Sequence, residues 1–254
     1  MIEGEPARDT EARRRQLGTG LADVRARVAQ AAAAVGRDPR EITLIAVTKT
    51  YPAADVLALA ELGVADIGEN RDQEARAKVA EVEQLLSGQP AGPELRWHFV
   101  GQLQTRKARS VAGYAAAVHS VDRSELAARL GAAVAAIAGE TGRPPLDVFI
   151  QVSLDGDPAR GGAHPDAVVA LGAALAAQGD LRLRGVMAVA PLGVDPDRAF
   201  ARLAEISGEL RQNHPTASMI SAGMSVDLEQ AIEHGSTHVR VGSALLGRRG
   251  PVFG

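Results

Sequence analysis

Short apolar runs that alternate with amphipathic helical stretches, eight times over, limit this chain more than any other feature it has. The runs are Thr43–Thr48, Val64–Ile67, Trp97–Val100, Ala117–Ser120, Leu146–Val152, Leu183–Val189, Ser218–Ser221 and His238–Gly242. Between them lie helical patterns at about 53–62, 70–86, after Gln104, 122–139, 164–178, 196–212 and 226–234, with a last one opening at Gly242-Ser243. Runs buried on both faces and linked by helices make a parallel sheet. Eight such units in roughly 250 residues are what a closed (β/α)8 TIM barrel requires. The competitor is an open doubly wound sheet, but no GxGxxG follows the first run to support it. Ahead of the first strand, Leu17, Leu21, Val24, Val28 and Ala32 recur every three or four residues and predict an extra N-terminal helix over 10–36, closed by Gly36 and Pro39. The expectation is an α/β protein with a disordered leader at 1–9, one barrel domain over 10–250 and a surface loop at 87–95.

Composition narrows the function. With a formal charge of −3 and a pI near 6.1, the surface carries no footprint for nucleic acid. The absence of cysteine excludes disulfides, thiol nucleophiles and iron–sulfur clusters. No HExxH spacing supports a metal site, and GDPARGG at 156–162 lacks the ending of a phosphate-binding P-loop and reads as an ordinary loop. No stretch approaches the roughly 20 apolar residues of a membrane helix, and the N-terminus is charged, so a cytoplasmic location is expected.

In a barrel of this type the polar residues at the C-terminal strand ends build the active site. Lys49 closes the first run. A lysine packed at the barrel mouth loses solvation and becomes a better nucleophile toward aldehydes; alternatively its stem lies along the rim with the ammonium in water. After the seventh and eighth runs come Ser225, at the expected N-cap of helix 226–234, and Gly242-Ser243. Loops there, backed by helix N-termini, are the recurrent phosphate site of such barrels, although two plain helix caps have the same appearance. Alternation turns His238, Arg240 and Gly242 inward, so Arg240 needs an acceptor: a buried carboxylate, for which Asp66 and Asp147 are candidates, or a ligand atom. His98, between Trp97 and Phe99, reads first as a hydrogen-bonded core histidine, and Arg106, Lys107 and Arg109 read as a solvated basic face.

The strings AVTKT (46–50), GEN (68–70), RWHFVGQLQTRK (96–107), GVMAVAP (185–191) and SAGMSVDLEQAIEHGSTHVRVGSALLG (221–247) resemble the pyridoxal phosphate homeostasis protein family, in matching order from about residue 12 to 248. The resemblance implies a barrel similar to the N-terminal domain of alanine racemase, with pyridoxal 5′-phosphate (PLP) held as an internal aldimine. It makes Lys49 the Schiff-base lysine and Asn70 a neighbour of the ring. Ser225, Gly242 and Ser243 become the phosphate cradle, Arg240 the partner of the pyridine nitrogen, and Met224 part of the pocket wall. Arg106, where members often have Asn, and PARGG at 158–162 depart from the family pattern. An arginine facing the ring nitrogen gives a weak electron sink. Racemisation also needs a second base opposite Lys49, which alanine racemase takes from a C-terminal domain that nothing in these 254 residues resembles. The only tyrosines are Tyr51 and Tyr114. The expectation is therefore a monomeric, non-enzymatic protein that binds, buffers and delivers PLP to PLP-dependent apo-enzymes. The alternative is a racemase-like amino-acid enzyme.

Overall fold

The computed structural model describes residues 5–87, 93–157 and 160–247. Much of the loop expected at 87–95 and two residues of the 158–162 departure therefore lie outside the described residues. A long helix, α1 (Glu5–Ala34), precedes the barrel, so residues 5–9 of the expected leader continue the helix. Its apolar stripe, Leu17, Leu21, Val24, Val28 and Ala32, is buried as the spacing requires, and Gly36, at φ +68°, closes it.

The strands are β1 (Thr43–Val47), β2 (Asp66–Glu69), β3 (Arg96–Phe99), β4 (Ala117–Val121), β5 (Leu146–Gln151), β6 (Leu181–Met187), β7 (Met219–Ser221) and β8 (His238–Val241). Each pairs in parallel with the next and β8 returns to β1, with Thr43 opposite His238 and Ala46 opposite Val241, which closes the eight-stranded barrel. The outer layer is α2 (Ala53–Glu61), α3 (Asp72–Leu86), α4 (Ala108–Tyr114), α5 (Ser124–Thr141), α6 (Val168–Ala176), α7 (Pro196–Asn213), α8 (Leu228–Glu233) and α9 (Ser243–Leu246). All eight expected units are present, and the TIM barrel with an extra N-terminal helix is the fold.

Burial between helices and strands divides into two apolar clusters. One, built on α1, α2, α8 and α9, joins Leu17, Leu21 and Val24 to Val56, Ile67, Ile232 and Leu245. The other, under α4 to α7, joins Val118, Leu130, Val148, Val186, Phe200 and Leu203. The barrel axis is different in kind: His98, His119, Ser221 and Arg240 are all buried there, with Phe149 stacked on His119 at 4.3 Å between ring centroids.

Several boundaries move from their expected places, three of them for a local reason. β2 begins two residues late, because Val64 still belongs to the turn after α2, its N–H bonded to Leu59 O. β6 sits two residues early and carries an irregularity at Gly185, whose φ is +153°; a Cβ there would lie 1.8 Å from Met219 O, so only glycine lets β7 approach. α8 starts at Leu228, with Asp227 rather than Ser225 at its N-cap position.

Candidate functional site

At the C-terminal mouth of the barrel a cavity of about 410 Å³ is lined by Lys49 from the end of β1, Asn70 after β2, Met224 and Ser225 after β7, and Arg240, Gly242 and Ser243 at the end of β8. All seven residues that the sequence singled out thus meet in one place. The sequence reading missed the walls: Val47, Val100, Val189 and Val226 complete the lining. Three of them end or follow apolar runs, where nothing separates a wall residue from a core one. Lys49 is exposed at the mouth rather than packed into it.

The strand end that carries Lys49 is fixed from both sides. Before it, Thr48 is buried and donates its hydroxyl to Glu69 Oε1 at 2.6 Å, while Lys78 of α3 reaches in to donate to Glu69 Oε1 at 2.5 Å and to the Thr48 carbonyl at 2.7 Å. Lys78 and Glu69 are both essentially buried. Burial pushes the Glu69 carboxyl up, with the hydrogen bonds from Lys78 and Thr48 opposing. After Lys49, Thr50 has φ +65°, the one described non-glycine residue in the left-handed region, and its N–H donates to the carboxylate of Glu74, also on α3. Such a conformation persists only where surrounding contacts over-determine it.

Across the cavity, Ser225 does not cap the helix that follows it. Its hydroxyl instead accepts from Ala244 N at 3.2 Å and lies 3.2 Å from the Ser243 hydroxyl, so the loop after β7 caps α9, the helix after β8. Arg27 of α1 holds that loop from behind, donating to Ser225 O at 2.9 Å and pairing with Glu229 at 2.6 Å. At Gly242 a Cβ would come within 3.3 Å of Val47 O, so glycine keeps the floor between β1 and β8 open. Asn70 Oδ1 is buried without a hydrogen-bond partner, an acceptor or, with the amide turned over, a donor left for something else.

Arg240 points inward, as alternation requires, but neither carboxylate weighed for it is its partner. Asp66 bonds His98 at 2.8 Å and Arg96 at 2.7 Å, and Asp147 pairs with Arg182 and Arg184. Arg240 donates from Nη1 to Ser221 O and Ser221 Oγ, both at 2.7 Å, and from Nη2 to Ala188 O at 2.9 Å. Burial lowers its pKa to about 10, with Asp227 opposing, so it stays charged at neutral pH.

The remaining candidates fall outside the cavity. His98 is a hydrogen-bonded core residue, as its flanks suggested. Arg106 is exposed and bonds Gln104, whereas Lys107 of the expected basic face pairs with Asp72 at 3.1 Å. Tyr51 donates to Gly247 O at 2.6 Å beneath Arg13, and Tyr114 packs against the apolar clusters. Among the described residues no cluster of three His, Cys, Asp or Glu side chains could hold a metal, and no helix is long and apolar enough to cross a membrane.

Comparison with known proteins places this geometry. The family model for the alanine racemase N-terminal domain matches residues 20–250. The pyridoxal phosphate homeostasis protein of Mycobacterium tuberculosis is 46% identical over 243 residues, covering 93% of this chain and 94% of that protein. Its counterpart in Escherichia coli is 36% identical over 241 residues, covering 92% and 97%. Among solved structures, PipY of Synechococcus elongatus with PLP bound superposes with a TM-score of 0.75 at 35% identity, over 91% of this chain and 100% of that one. A closed eight-strand barrel, a family model that spans most of the chain and relatives matched along nine-tenths of its length lead to one assignment: the chain belongs to the alanine racemase N-terminal domain family and, within it, to the pyridoxal phosphate homeostasis proteins.

Proposed function

We propose that this protein binds pyridoxal 5′-phosphate in the C-terminal cavity, covalently through Lys49, and serves intracellular PLP homeostasis by buffering the cofactor and delivering it to PLP-dependent apo-enzymes. The observation that carries this reading is the convergence of Lys49, Asn70, Arg240, Ser225, Gly242 and Ser243 on one cavity. The donor set fits the group: an exposed amine for an aldehyde, a charged guanidinium with N–H groups to spare, an unpartnered buried amide oxygen, and a hydroxyl-lined loop pair with glycine at its floor. When bound, the cofactor supplies an aldehyde and an electron-withdrawing ring. The protein then supplies the Lys49 amine, a donor from Arg240 toward the ring nitrogen, polar contacts from Ser225 and Ser243 to the phosphate, and apolar walls from Met224 and the valines.

A delivery role is favoured over a racemase-like one by the lining itself. Its titratable side chains are Lys49 and Arg240; the described lining contains no carboxylate, imidazole or phenol to act as a second base. The same reading takes the protein as a cytoplasmic monomer.

The test is a visible spectrum of protein mixed with PLP, before and after borohydride reduction, with peptide mapping of the labelled residue. A reducible band lost in Lys49→Ala and a label on Lys49 are expected, together with transfer of cofactor to an apo-enzyme and no deuterium uptake at Cα of amino acids in heavy water. A spectrum that equals the sum of those of the protein and of free PLP, or a label on another residue, overturns the binding, and Lys49-dependent exchange favours the racemase-like reading. Sedimentation at the mass of a dimer would overturn the monomer.

A further inference from the structure

From Arg240 downward, five side chains from five strands form an unbroken hydrogen-bonded line along the barrel axis. Arg240 Nη1 lies 2.7 Å from Ser221 Oγ, which lies 2.9 Å from His119 Nδ1. His119 Nε2 lies 2.9 Å from His98 Nδ1, and His98 Nε2 lies 2.8 Å from Asp66 Oδ1. Asp66 and His98 line a second cavity of about 300 Å³ at the opposite, N-terminal mouth, so the line joins the two ends of the barrel.

Elementary chemistry fixes its direction when both rings are neutral. A guanidinium only donates and a carboxylate only accepts. Hydrogen bonds from His98 and Arg96 outweigh the burial of Asp66 and hold its carboxyl below the usual range, while burial drives His119 well below its usual value, with His98, His238 and Arg240 adding to it. Arg240 therefore donates to Ser221, the Ser221 hydroxyl to His119 Nδ1, His119 Nε2–H to His98 Nδ1, and His98 Nε2–H to Asp66. Each link accepts from above and donates below, and such chains polarise one another in a low dielectric. At the top, three of the five N–H groups of Arg240 are committed to Ser221 and Ala188, leaving Nε–H and one Nη2–H on a residue that lines the upper cavity.

We propose that Ser221, His119, His98 and Asp66 are positioning residues for Arg240, a one-way relay that turns its two uncommitted N–H groups toward the cofactor cavity and lets the charge of Asp66 act on that end from the far mouth. The cofactor part of this inference rests on the binding proposed above, whereas the relay itself does not.

Two measurements test it. In cofactor-free protein at pH 8, ¹⁵N spectra should show both His98 and His119 protonated on Nε2 with bare Nδ1; a proton on His119 Nδ1 or an imidazolium at either position overturns the relay. PLP affinity, titrated by absorbance, should fall about threefold to tenfold in Ser221→Ala and in Asp66→Asn, the scale of one weakened hydrogen bond. The double variant should be no worse than Ser221→Ala alone, because Asp66 acts only through the hydroxyl. Arg96→Gln, which removes the other partner of Asp66 and leaves the line intact, should bind as the wild type does. Single variants without effect, or effects that multiply as for independent sites, overturn the positioning role. If wild-type protein fails to bind PLP, the binding proposal falls and takes the cofactor role of the relay with it, while the tautomers still decide whether the relay exists.

Discussion

Lys78 illustrates how much a single side chain holds together near this site. Its ammonium sits 2.5 Å from Glu69 and 2.7 Å from the Thr48 carbonyl, with both charged groups almost wholly shielded from water. Removing one partner of such a pair strands the other charge, at a cost of about 3–5 kcal/mol. Lys78→Met should therefore lower the urea midpoint steeply, and Lys78→Met combined with Glu69→Leu should recover most of the loss, as measured by equilibrium denaturation. Gly101 makes a second case. A Cβ there would lie 2.1 Å from Asn70 O, too close for the backbone to yield cheaply. Gly101→Ala should displace Asn70 and destabilise the fold by about 1–3 kcal/mol, the usual range for overpacking, visible as a lower melting temperature.

At the scale of elements, the decisive seam runs between α1 and α9. A Cβ at Gly20 would come 2.6 Å from Leu245 O, so the two helices touch backbone to backbone, and Arg27, about two turns further on, grips Ser225 O. The helix outside the eightfold repeat thus braces the loops that form the proposed phosphate cradle. Gly20→Val should push α9 outward, costing about 1–3 kcal/mol of stability and weakening PLP binding with the cavity walls unchanged in sequence. Thermal unfolding and absorbance titration check the two effects separately. Arg27→Met should do less to stability, because its ion pair with Glu229 is partly exposed and worth at most about 1 kcal/mol.

For the molecule as a whole, the barrel axis predicts acid sensitivity. Burial lowers His119 well below its usual value and takes His238 to about 3, with His98 adding to the effect on His238 and Asp66 opposing it. In the unfolded chain both titrate near pH 6.5, so below that pH the unfolded state binds the extra protons. Stability should hold steady above about pH 6.5 and fall as pH drops toward 3, by up to about 1.4 kcal/mol per pH unit for each of the two histidines. Denaturant melts from pH 8 to pH 4 measure that slope, and His238→Phe should flatten it. The eight units were legible in the sequence because periodicity is a local property, and strand-end position singled out Lys49, Ser225, Arg240, Gly242 and Ser243, whereas Asn70 and Met224 entered only through the family resemblance. The relay was not, since Asp66, His98, His119, Ser221 and Arg240 come from five separate strands and meet only when the barrel closes. Nor was the true role of Ser225, because the helix it caps lies across the loop from the one that follows it. The burial of Lys78 has no local mark either, since the groups that hold it, Glu69 and the Thr48 carbonyl, lie on β2 and at the end of β1. The same helix also lends Glu74 to the backbone of Thr50, so the unusual dihedral beside Lys49 is upheld by an acid that forms no part of the cavity lining. The backbone beside the amine is accordingly held from outside: if Lys49 takes the aldehyde as proposed, one acidic residue on a peripheral helix retunes how the two meet while every surface the ligand touches stays as it was.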